Sequence, residues 1–279
     1  MTTTTLEGME AREVTDGVYW LGGCMEILGP STPTPIHYHV STYLVMGSER
    51  TILVDTGDPR HWPMISVELR GLLGDRKLDY VFPTHPELPH AGNLLSLLEM
   101  YPGAVVVGDT RDYGVHFPEI SDRLQPMVAG DVLDLGDHQL CAVPAYIRDL
   151  PNTLWAYDRR AQALFVSDGF SYIHDAIDDP PFEIDEPAHR PGQCRLLSNE
   201  MSVPPTVEQA AYGTGRALYW TRFVDVTSTF SDIEQFLSEH PTQFVAPAHG
   251  NVINDVDSML RVSLAAHRQV YETQLSQPE

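Results

Sequence analysis

Residues 80–93 read YVFPTHPELPHAGN. The apolar run from Tyr80 to Pro83 is a short strand. Three potential metal ligands follow it within six positions: His85, Glu87 and His90. In extended backbone, residues i and i+2 project to the same side, so His85 and Glu87 can converge on one ion. His90 stands at the turn into a helix over Asn93–Met100 and can face a second ion. Ala91-Gly92-Asn93 lets the backbone pass close to both. A polar turn with coincidental histidines would look the same, so the surrounding chain has to decide between the two.

Upstream, STYLVMG (41–47) and TILVDTG (51–57) form a hairpin around Gly47–Arg50, followed by a helix over Pro63–Leu73. Downstream, strand patterns cover Ala104–Gly108, Leu133–Leu135, Gln139–Val143, Thr153–Tyr157, Ala163–Val166 and Phe244–Ala246. Helical patterns cover Ser231–Ser238 and Asp255–Gln274. Strand runs broken by helices in both halves predict an α/β sandwich with helices outside. Residues 173–215, including HDAIDDPPFEIDEPAHRPGQ (174–193), are rich in Pro, Asp, Glu and Gly. They read as an irregular lid inserted into one domain spanning 1–279, because regular patterns resume afterwards.

Four apolar strands end in residues that bind or orient metals. They are TILVDTG with Asp55, the His85 segment, ALFVSDG with Asp168, and QFVAPAHG with His249. In α/β proteins, sites form at the carboxyl ends of strands. One such ending means little, but four out of four form a pattern.

Composition narrows the function. The chain has 279 residues and a formal charge of −22, from 39 acidic against 17 basic residues. Such a surface repels phosphate backbones, which argues against nucleic acid as a partner. No apolar stretch is long enough to span a membrane, and the N-terminus MTTTTLEGMEAREV has no apolar run of the secretory type, so a cytoplasmic location is expected. Cys24, Cys141 and Cys194 are few and widely spaced. That argues for a reducing compartment, and against both a disulfide framework and a cysteine-based zinc site.

The order VDTG, THxxxxHxGN, SDG, PAHG resembles the metallo-β-lactamase superfamily over about residues 40–253. That family's usual motif is His-x-His-x-Asp-His. Glu87 in place of the second His resembles the flavodiiron proteins and their oxygen-binding di-iron relatives, as do SDGF (167–170) and the YLV…ILVDT pair. The resemblance implies a metallo-β-lactamase αββα sandwich. It also implies that His85 and Glu87 bind one metal, that His90 and His249 bind a second, and that Asp168 bridges them. Asp55 would be a structural residue at the floor of the site, although capping a turn explains it equally well.

Two departures from the family stand out. Pro89 replaces an expected Asp and cannot ligate. The expected His before the SDG strand has no counterpart in VPAYIRDLPN (143–152). Asp149 stands nearest its place, and Tyr146 is the other candidate there. His174 either hydrogen-bonds a ligand or begins the lid. His37 and His39 either line the pocket mouth or sit exposed on a strand, while Trp155, Trp220 and Tyr219 are expected in the core.

The ligand set is nitrogen and carboxylate oxygen without thiolate, which suits two iron ions, with zinc or manganese as the alternatives. Iron implies an oxidoreductase or oxygenase working on O2 or a related small molecule. Since the chain ends soon after PAHG, no flavin is expected on it, and a separate electron donor is. Zinc would imply a metallo-hydrolase acting on a small-molecule substrate. The two departures also leave room for a non-catalytic oxygen-binding protein or a degenerate site. The flavodiiron resemblance further suggests a homodimer.

Overall fold

The computed structural model describes residues 11–28, 35–175 and 192–275. The chain opens with β1 (Arg12–Thr15), β2 (Val18–Leu28), β3 (Pro35–Met46) and β4 (Thr51–Val54), all antiparallel neighbours. The turn between β3 and β4 is tight. A side chain at Gly47 would meet the Leu135 carbonyl oxygen at 2.3 Å, so only glycine fits there. Next come α1 (Trp62–Leu73), β5 (Tyr80–Phe82), α2 (Leu88–Ala91), α3 (Leu94–Met100), β6 (Val105–Gly108), α4 (Tyr113–His116) and β7 (Leu124–Pro126). Strands β4, β5, β6 and β7 pair in parallel and complete the first sheet.

The second sheet is built from β8 (Val132–Asp134), β9 (Gln139–Pro144), β10 (Leu154–Asp158) and β11 (Ala163–Phe165), which form an antiparallel meander. A two-residue strand, β12 (His174–Asp175), returns to pair with β3 of the first sheet. Helices α5 (Val207–Ala217) and α6 (Thr227–Glu239) follow. Then β13 (Phe244–Ala246) pairs in parallel with β11, and α7 (Val256–Leu275) closes the chain.

Three apolar clusters define the layers. One lies between the sheets, joining Trp20, Tyr43, Val54 and Phe82 of the first to Leu140, Ala156, Phe165 and Ala246 of the second. Another fills the space between the first sheet and α1 and α3, with Leu44, Leu53, Ile65, Leu69 and Leu97. The last joins Trp155 and Leu164 of the second sheet to Phe230, Ile233 and Ala266 on α6 and α7. The order is helix, sheet, sheet, helix: the αββα sandwich expected from the pattern of elements. Among the described residues no helix is long and apolar enough to cross a membrane.

The structure corrects several expectations. The irregular stretch does not run to residue 215, because α5 begins at Val207. Its start carries a reciprocal cap in which Thr206 and Gln209 bond each other's backbone N–H. Residues 176–191 of the expected lid lie outside the described residues. Strand β2, which the sequence pattern did not single out, carries Gly22-Gly23, and its register with β3 runs from Val18↔Val45 to Leu28↔Pro35. At Gly22 φ is +99°, and a side chain there would strike the Val40 carbonyl, so this glycine lets the two long strands lie together. Trp155 is buried as expected, whereas Tyr219 is 59% exposed. Trp220 is part-buried against the apolar cluster and donates from its indole to the Arg148 carbonyl.

Candidate metal centre

Each sheet contains a parallel pair, β4–β5 in one and β11–β13 in the other. The expected site residues follow the carboxyl ends of these four strands. Strand β4 leads into Asp55, β5 into His85 and His90, β11 into Asp168 and β13 into His249. The Leu154 N–H bonds the Thr84 carbonyl and the Ala248 N–H bonds the Ser167 carbonyl, tying these loops to one another. Two residues at these turns, Asp55 and Ser167, hold φ of +57° and +52°. Backbone strain of this kind outside glycine concentrates at functional sites.

The side chains converge around Asp168. Its Oδ2 lies 3.5 Å from His85 Nε2. Its Oδ1 lies 3.5 Å from His90 Nε2 and 3.1 Å from His249 Nε2. On the His85 side, the same Nε2 is 3.7 Å from Asp149 Oδ2 and 3.9 Å from Glu87 Oε2. The carboxylate thus presents one oxygen to each of two donor groups: His85, Glu87 and Asp149 on one side, His90 and His249 on the other. All six expected ligands are brought together, Asp149 included.

Neighbouring groups orient the histidines. Asp55 Oδ2 lies 3.0 Å from His90 Nδ1, and Asp55 Oδ1 accepts the Thr84 N–H at 2.7 Å. His85 Nδ1 lies 3.0 Å from Ser167 Oγ. With Nδ1 of His90 and His85 engaged in this way, Nε2 is the ring atom directed inward, the orientation that metal-bound histidines require. His85 Nε2, His90 Nε2 and Asp168 Oδ2 are buried and have no hydrogen-bond partner. Buried polar atoms are normally satisfied, and three orphaned donors facing one another fit a metal centre.

Electrostatics point the same way. Burial opposes charge on Asp168, yet His90 and His249 hold its carboxyl well below the usual range. Burial likewise opposes charge on His90, and Asp55 and Asp168 override it, raising its pKa well above the ordinary value. Burial raises Asp149, while the contact with His85 lowers the exposed Glu87. So much concentrated charge would be costly without a compensating cation.

A pocket of about 340 Å³ opens onto this group, with Met25, Tyr38, Tyr212 and Arg216 among its walls. The ring of Tyr38 stacks on His249 at 4.7 Å and 7°. Sequence reasoning missed Tyr38 and Ser167. The only signal was indirect: Tyr38 lies between the two strand histidines, and Ser167 precedes the expected bridging residue.

Other expectations are corrected. Tyr146 does not reach the centre. It packs edge-on to Trp155 at 5.6 Å and beside Phe236, because the aromatic cluster offers its ring more buried contact. His174 sits opposite His37 in the β12–β3 pairing. His37 and His39 are buried, neither exposed nor at the pocket mouth, and His39 Nδ1 lies 2.9 Å from Ser41 Oγ.

Residues 35–159 match the metallo-beta-lactamase superfamily. The chain carries a metallo-β-lactamase domain. Over half of its length it is 31% identical to diflavin flavoprotein A 1 of Synechocystis, covering 25% of that protein. It is 26% identical to nitric oxide reductase of Moorella thermoacetica over 56% of the chain and 41% of the relative. The chain therefore spans less than half the length of these curated relatives. Among solved structures, the domain resembles rubredoxin oxygen:oxidoreductase of Desulfovibrio gigas. The TM-score is 0.70 at 18% identity, covering 97% of this chain and 63% of that one.

Proposed function

We propose that this metallo-β-lactamase domain is an oxidoreductase or oxygenase with a dinuclear iron centre acting on O2 or a related small molecule. His85, Glu87 and Asp149 would hold one iron, His90 and His249 the other, and Asp168 would bridge them. The observation that carries this reading is the division of Asp168, whose two oxygens face different histidine groups. Three imidazoles and three carboxylates without thiolate form a donor set suited to iron. The two relatives named above, a flavoprotein and a nitric oxide reductase, support a redox reading over a hydrolytic one.

Bound there, iron would supply one-electron redox chemistry to a small molecule entering the pocket. The protein's part is to fix the ligands and limit access. Asp55 and Ser167 hold the Nδ1 sides of His90 and His85, keeping Nε2 directed inward. Tyr38 covers one face of His249. Burial, and then Asp168, push its hydroxyl above the ordinary tyrosine range, so it keeps its proton at neutral pH. On this reading a separate protein delivers the electrons, and the active form is a homodimer.

The test is to load the protein with ferrous iron without air, measure metal content and optical spectrum, and follow O2 or nitric oxide consumption with a chemical reductant. Two irons in this centre and reductant-dependent consumption are expected. A centre that takes zinc in preference to iron, with no consumption from the iron-loaded form, would overturn the proposal.

A further inference from the structure

A second group of metal-binding side chains lies outside the Asp168 centre. Cys24 on β2, His37 on β3, His174 on β12 and Cys194 in the turn Gln193–Arg195 are all buried, and their ligand atoms lie within 4.8 Å of one another. His37 Nδ1 is 2.9 Å from Cys194 Sγ. The His37 and His174 rings meet edge-on at 5.3 Å. We propose that these four residues bind a single zinc ion, in a tetrahedral site of two thiolates and two imidazoles.

The donor set is the main argument. Two sulfurs and two ring nitrogens make a closed tetrahedral set of the kind that selects zinc. Around a zinc ion such ligand atoms stand about 3.3–3.8 Å apart, given ordinary Zn–S and Zn–N bonds. Reaching that spacing needs only small shifts: the widest separations close from within 4.8 Å, and the 2.9 Å His37–Cys194 pair opens. Two thiolates, two neutral imidazoles and a dication sum to zero charge, so the assembled unit can be buried without an uncompensated charge. The Glu26 carboxylate stands on the far side of the His37 ring, 3.7 Å from Nε2, while Nδ1 faces the cysteine.

The register explains why the sparse cysteine spacing concealed this site. Glu26 pairs with His37, and Met25 with Tyr38, across β2 and β3. By strand alternation, Cys24 and His37 share one face, whereas Met25 and Tyr38 occupy the other and line the pocket. Strand β12 brings His174 opposite His37. The turn at 193–195 adds Cys194 from a segment 170 positions away from Cys24 in sequence. Zinc here would pin β2, β3, β12 and this turn at one point. It would also brace the strand that presses Tyr38 on His249.

The test uses the full chain, prepared under reducing conditions and loaded with zinc alone. X-ray absorption at the zinc edge should show sulfur at about 2.3 Å. The sulfur signal should persist in Asp168→Ala, which keeps this site separate from the Asp168 centre, and be lost in Cys24→Ser/Cys194→Ser. Cobalt replacing zinc should give a thiolate charge-transfer band with the same dependence. If the double variant does not fold, the wild-type and Asp168→Ala spectra still decide. Zinc without sulfur ligands in both proteins, or a Cys24–Cys194 disulfide in protein purified under reducing conditions, would overturn the proposal.

Discussion

Asp168 and Asp149 are both carboxylates beside His85, but they differ in reach. Asp168 touches both donor groups, whereas Asp149 faces only one. Asp168→Ala should therefore remove metal from both positions, and Asp149→Ala from one at most. Metal analysis after gel filtration checks this, and equal retention by the two variants would contradict the bridging role. Asp55 acts through His90: it holds Nδ1 at 3.0 Å. Asp55→Asn keeps the shape but weakens that hold, and metal affinity of the His90/His249 position should fall roughly 10–100-fold. Competitive chelator titration reads the change, and the His85 position should be little affected. At Pro89, where the family carries a carboxylate, Pro89→Asp should tighten the same position. No change on titration would mean that the proline shapes the loop in its own right.

At the scale of elements, the candidate site was legible because most of its expected ligands follow short apolar strands. YVF, ALF and FVA announce themselves, and His85, Asp168 and His249 each stand three positions after the end of a run. His85 and Glu87 come together by another route than strand alternation: β5 ends at Phe82, and both residues lie in the bend that leads into α2. The convergence of the two sheets was less legible, since it depends on parallel pairs far apart in sequence. Tyr38, Ser167 and the Cys24/His37/His174/Cys194 group were hidden for the same reason: pairing, not spacing, brings them into place. Helix α7 offers a prediction of its own. His267 is buried against Phe230, at 5.3 Å, and neither ring nitrogen has a hydrogen-bond partner among the described residues. Burial lowers its pKa to about 4 from 6.5. As pH falls below 6.5 the unfolded chain takes up this proton and the folded chain does not, so stability declines until about pH 4. The loss approaches about 3 kcal/mol over that window. In urea unfolding at several pH values, His267→Leu should flatten this part of the profile relative to wild type. An unchanged slope would show that His267 does not carry it.

At the scale of the whole molecule, the αββα order followed from the alternation of elements, and the charge of −22 pointed away from polyanions. Binding to DNA or heparin at physiological salt should accordingly be undetectable by fluorescence anisotropy. The placement of helices over both sheets leaves the carboxyl-end edge as the place where loops from the two halves meet, and the Asp168 centre lies there. The claim that joins fold to function is that this edge holds two metal ions sharing one carboxylate. Mössbauer spectroscopy of protein loaded with ferrous iron without air and then oxidised tests it most directly. A spin-coupled iron pair that disappears in Asp168→Ala is the predicted result. Uncoupled, mononuclear iron in the wild type, or a coupled pair that survives Asp168→Ala, would contradict it.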